Sequence, residues 1–178
     1  MKNLRTQLVL CCLLFAIPLT AQHKYVGVTK CGMCHKTEKA GKQFDIWKSS
    51  KHSQAYVTLT SDKANAIAKA KGLTKPAAES PECLKCHVAG YGLDAALFDK
   101  KFEMKDGVQC EVCHGPGSDY LSISVMKDKA KALAAGLNIS KDDPKLCEKC
   151  HNSESPSFKE FKYKEMWEKI KHPVPGKG

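Results

Sequence analysis

Four copies of Cys-x-x-Cys-His stand out in this chain: Cys31-Gly-Met-Cys34-His35, Cys83-Leu-Lys-Cys86-His87, Cys110-Glu-Val-Cys113-His114 and Cys147-Glu-Lys-Cys150-His151. In such a unit the two thiols add across the vinyl groups of a haem as thioethers. The adjacent imidazole then takes the proximal position on the iron. The four units predict four haem c groups per chain. Their covalent anchors are Cys31, Cys34, Cys83, Cys86, Cys110, Cys113, Cys147 and Cys150, and their proximal ligands are His35, His87, His114 and His151. Of the ten cysteines only Cys11 and Cys12 lie elsewhere, in an N-terminal apolar stretch. Paired Cys-x-x-Cys units can also cage zinc, but a zinc cage does not require a His after every second Cys.

An electron-carrying haem works best with two strong axial ligands, because its geometry then changes little on reduction. Beyond the motif histidines the chain has His23, His52 and His172. Three imidazoles cannot serve four irons, so at least one iron takes another ligand or stays open. His52, in Trp47-Lys-Ser-Ser-Lys-His52, and His172 are the expected distal ligands. The ordinary alternatives are a surface histidine near a helix start for His52 and a helix-dipole partner for His172. His23 is a further candidate close to the expected mature terminus, where chains fray. Met126 offers a thioether, with packing as its ordinary role. Trp47 and Trp167 read as packing anchors.

The elements that must position these groups read as helices. Ala64, Ile67 and Ala68 have helical spacing within 62–71, with Gly72 as a stop. Ala130, Leu133, Ala134 and Leu137 repeat the pattern, as do Tyr163, Met166, Trp167 and Ile170 before Pro173. No run alternates as a strand would, and 76–81 and 152–156 read as loops. The expected fold is mainly α with extensive irregular structure, a multihaem cytochrome c organised around a packed haem cluster. Aromatic residues make up only 7% of the chain, so porphyrin must supply much of the apolar surface. Gly115-Pro116-Gly117 after the third motif would let backbone approach a porphyrin closely.

Residues 1–21 read as a secretory signal peptide, with Lys2 and Arg5 before the apolar run from Leu8 to Ile17. The mature haem domain is then 22–178, with no integral membrane span and a periplasmic location, where haem c is attached. The formal charge is +10, nearly all of it Lys, with Arg5 the one arginine. An exported chain without Arg in its mature part does not suit nucleic acid. Its lysines suit steering toward acidic redox partners, an electron donor and an acceptor.

The chain resembles the tetrahaem cytochrome c-554 family, known from ammonia oxidation. The resemblance lies in Tyr25-Val-Gly-Val-Thr-Lys-Cys31, Trp47 through Ala55, Glu82-Cys83-Leu-Lys-Cys86-His87-Val-Ala-Gly-Tyr-Gly92 and Gly107-Val-Gln-Cys110-Glu-Val-Cys113-His114-Gly-Pro-Gly117. It implies a helical carrier with closely packed haems, three with two His ligands and a five-coordinate one at the second motif. By position His52 and His172 match distal ligands and His87 the proximal ligand of the open haem. The chain departs from the family in one respect: no histidine lies between Ser118 and Lys149, where the family has a further distal His. Met126, His23 or no ligand takes that place. The expected function is an exported electron carrier rather than an enzyme. The alternative is a haem enzyme reducing a small nitrogen or oxygen species at a five-coordinate iron.

Overall fold

The computed structural model describes residues 22–139 and 143–173; the expected signal peptide lies outside them. The described residues form short helices joined by turns. They are α1 (Val28–His35), α2 (Gln43–Lys48), α3 (Ala55–Leu59), α4 (Asp62–Ala70), α5 (Pro81–His87), α6 (Cys110–His114), α7 (Ile123–Met126), α8 (Lys129–Ala134), α9 (Pro144–Glu148) and α10 (Tyr163–Ile170). Among the described residues no strand forms; Tyr25 and Phe98 make an isolated parallel bridge.

Local chemistry sets the helix ends. The Ser61 hydroxyl accepts from Ala64 N and starts α4, with Asp62 in its first turn, which satisfies a donor that the helix itself cannot. Ser122, Asp128 and Asp143 cap α7, α8 and α9 in the same way. Pro81 stands in the first turn of α5, where its missing N–H costs nothing. The expected helices over 62–71 and from Tyr163 to Ile170 are present. α8 stops short of Leu137, because Gly136 takes a left-handed φ of 92°. The expected loop at 76–81 instead holds a 3-10 turn over Ala77–Glu79, whose first N–H donates to Asn65 Oδ1 at 3.0 Å.

Leu59, Ala68 and Ala77 form a buried cluster with Ala64, Leu73, Ala78, Cys83 and Leu84 packed against it. It joins α3, α4 and α5, so the second motif sits on the chain's own apolar core. Tyr25, Phe98 and Phe102 form an aromatic group, the two phenylalanines stacked at 4.6 Å. Elsewhere large apolar groups stay in water, with Met33 of the first motif 70% exposed. A chain with so little self-made core needs apolar surface from another source.

Candidate haem-binding site

Each motif begins on a helix. Residues at i, i+3 and i+4 share one helical face, so the two thiols and the imidazole of each of the first three units emerge on the same side. The first three units close α1, α5 and α6 on their histidine. In the fourth, α9 ends at Glu148 and His151 follows in a turn, its N–H bonded to Cys147 O at 2.9 Å.

Three of the motif imidazoles are fixed through Nδ1. His87 meets Ala55 O at 2.7 Å, His114 meets Asn138 O at 2.8 Å, and His35 meets Gln43 Oε1 at 3.3 Å. A carbonyl oxygen can only accept, so each Nδ1 carries the hydrogen and each Nε2 keeps its lone pair. That is the tautomer a metal-binding imidazole needs. His151 is held differently: its ring stacks on Phe161 at 4.8 Å and 15°. An open cavity of about 400 Å³ lies against His151 and is lined also by Glu148, Asn152, Phe158 and Phe161.

The spare histidines are distributed unequally. His52 faces His151 with ring centres 6.0 Å apart, and His172 faces His114 at 5.8 Å. Two imidazoles on opposite sides of one metal, with metal–nitrogen bonds of about 2.0 Å, have ring centres roughly 6.4 Å apart. Both centre separations are close to that distance. Burial, and then the neighbouring His151, lowers the His52 pKa; burial, and then His114, lowers that of His172. Both rings are thus held in the neutral form that can bind a metal. His172 lies two residues beyond the end of α10 rather than on it. Gly107 places His52. Its φ is 76°, and a Cβ there would come within 2.7 Å of His52 O, which also accepts from Val108 N at 3.0 Å.

His23 is not brought against a motif imidazole. Its ring is half exposed and its Nδ1 meets Asp119 Oδ2 at 2.8 Å. Met126 closes α7, half-buried. Trp47 is an anchor as expected, its Nε1 donating to Val108 O at 2.8 Å.

The thiols approach one another between motifs. Cys31 lies beside Cys110, Cys147 beside Cys113, and Cys150 beside Cys86. In space the motifs therefore run first, third, fourth, second. Burial, followed by neighbouring thiols, pushes Cys113 up to about 11 and Cys150 up to about 12. Among the described residues no three His, Cys, Asp or Glu side chains converge on a bare ion.

Sequence reasoning overlooked Glu111, inside the third motif. It is 2% exposed. Its Oε1 accepts from Val26 N at 2.8 Å and Gly117 N at 2.7 Å, and its Oε2 accepts from Gly27 N at 2.8 Å. Burial raises its pKa and the three N–H donors oppose that rise. Gly117 thus serves this carboxylate: a Cβ there would lie 3.1 Å from Oε1. The bonds tie the segment leading into α1 onto α6, holding the first and third motifs together.

A helical chain with thiol pairs and tautomer-fixed imidazoles on its helices is a c-type cytochrome, carrying haem c on thioether bonds. Residues 30–115 match the family described as cytochrome c554 and c-prime. The chain is 34% identical over 105 residues to cytochrome c-554 of Nitrosomonas europaea, a match covering 57% of this chain and 43% of that protein. The likeness to the cytochrome c-554 family thus runs through the first three motifs, and the chain spans less than half the length of the curated relative it matches. No solved structure matches it.

Proposed function

We propose that this protein is an exported tetrahaem electron carrier, with 22–178 as its haem domain, relaying electrons between a donor and an acceptor protein. Haem iron supplies a one-electron couple. The chain fixes where each couple sits and how it is ligated. Cys31 and Cys34, Cys83 and Cys86, Cys110 and Cys113, and Cys147 and Cys150 are the covalent anchors. His35, His87, His114 and His151 are the proximal ligands. His52 serves as distal ligand opposite His151, and His172 opposite His114.

The observation that carries the relay is the unbroken run of thiol neighbours linking all four motifs. It gives each site a near neighbour, as hopping requires. His52 and His172 then leave the first and second motifs without a paired imidazole. Following the family, the iron on His87 is the five-coordinate one. His23, oriented by Asp119, and Met126 are the candidates for the iron on His35. The lysine-rich surface steers acidic partners toward the chain.

Two measurements test this reading. Intact mass under denaturing conditions is expected to exceed the mature polypeptide by four haem masses; three would overturn the count. Purified protein with an artificial donor is expected to turn over nitrite, hydroxylamine, nitric oxide and peroxide negligibly. Sustained turnover of any of them would replace the carrier with the enzyme.

A further inference from the structure

Gly41 and Lys42 are successive left-handed residues, with φ of 89° and 51°. Among the described residues Lys42 is the one non-glycine at positive φ. Such a conformation is kept only where the surroundings impose it. This double corner starts α2 and turns its first residue, Gln43, back over the preceding turn.

Every polar atom of the Gln43 amide is then engaged. Nε2 points at Pro173 O, 3.1 Å away, and at Ala40 O. Oε1 faces His35 Nδ1. The two backbone carbonyls can only accept, which settles the amide orientation: nitrogen toward them, oxygen toward the imidazole. His35 must therefore donate from Nδ1. Pro173 directly follows His172, so the same amide that orients the first motif's imidazole also ties down the segment bearing the imidazole opposite His114. Gly41 leaves room for this contact; a Cβ there would lie 3.0 Å from Gln43 Nε2 and 3.4 Å from Pro173.

We propose that Gln43 is a positioning residue for ligands of two different irons: it holds His35 as the Nδ1–H tautomer and tethers Pro173 so that His172 stays opposite His114. This rests on the assignment of His35 and His172 as iron ligands. A fault at one side chain would then disturb two neighbouring redox centres.

The test compares Gln43→Ala, Gln43→Glu and His172→Ala in the haem-loaded protein. Electron paramagnetic resonance reads the spin state of the oxidised haems, redox titration reads their potentials, and intact mass confirms haem loading. In Gln43→Ala, occupancy by His172 is expected to fall roughly 10-fold, as for other partners that orient a metal ligand. The low-spin signal that His172→Ala abolishes should therefore give way to a high-spin one. Gln43→Glu separates the two roles. Its carboxylate still accepts from His35, more strongly because it is charged, so the potential at the first motif should drop. It has no N–H for Pro173, so the His172 signal should weaken as in Gln43→Ala.

Wild-type signals and potentials in both Gln43 variants, with a high-spin haem in His172→Ala, would overturn the role of Gln43 alone. Unchanged low-spin signals in His172→Ala would overturn the ligand assignment, and the proposal with it. Incomplete haem loading in Gln43→Glu, whose shape matches Gln, would also overturn it, showing a general structural need rather than ligand positioning.

Discussion

Replacing Glu111 should cost stability in proportion to the N–H donors it strands. The wild-type carboxylate accepts from Val26 and Gly117 through Oε1 and from Gly27 through Oε2. Glu111→Ala strands all three in a buried site, at about 1–3 kcal/mol each. Removing the carboxylate also relieves the several kcal/mol that burying its charge costs. The expected net loss is on the order of 3 kcal/mol. Glu111→Gln can keep its amide oxygen at the Oε1 position and retain two bonds, but its NH2 then faces Gly27 N–H. One stranded donor sets that cost at about 1–3 kcal/mol, with less relief to offset it than a full truncation leaves. Guanidinium unfolding of the haem-loaded protein, followed by circular dichroism, gives both numbers. The Ala variant is also expected to weaken magnetic coupling between the haems of the first and third motifs, because Val26 and Gly27 lead directly into α1. A loss below about 1 kcal/mol for Glu111→Ala, with coupling unchanged, would refute the clamp and reduce the three bonds to ones that water replaces at little cost.

His52→Ala and His172→Ala should each convert one low-spin haem to high-spin, and the double variant two; resonance spectra of the oxidised protein count them. Gly107→Ala should destabilise the chain and loosen His52, since its Cβ would collide with His52 O in a left-handed conformation; a rise in high-spin signal would report it. Burial lowers the His52 and His172 pKa values below the ordinary 6.5. The folded chain thus binds these protons less readily than the unfolded one, so the stability they contribute is present above about pH 6.5 and is lost as pH falls through the lowered values. Acid titration followed in the Soret band should show ligand loss in that window, and a flat response down to pH 4 would contradict it.

The sequence by itself laid out the covalent anchors expected for haem c. Thiols at i and i+3 with an imidazole at i+4 make a local constellation that one helical turn presents on one side, whatever the rest of the chain does. α4 and α10 were legible for the same reason, since their periodicity, caps and stops lie within a dozen residues. α8 was only partly legible, because Gly136 breaks the helix where the apolar spacing would carry it on. What the tertiary structure decided is which distant residues meet. Histidine counting finds three imidazoles beyond the four motifs, but only the fold sets His52 against His151, sets His172 against His114 and leaves His23 with Asp119. The order of motifs in space, first, third, fourth and second, departs from their order in the chain, because Cys31 packs on Cys110 and Cys86 on Cys150. Glu111 and Gln43 look like ordinary surface residues in the sequence. Their partners lie 84 to 85 residues away for Val26 and Gly27, and 130 for Pro173. No local pattern encodes such contacts; they exist only once long-range packing has closed the chain around its motifs.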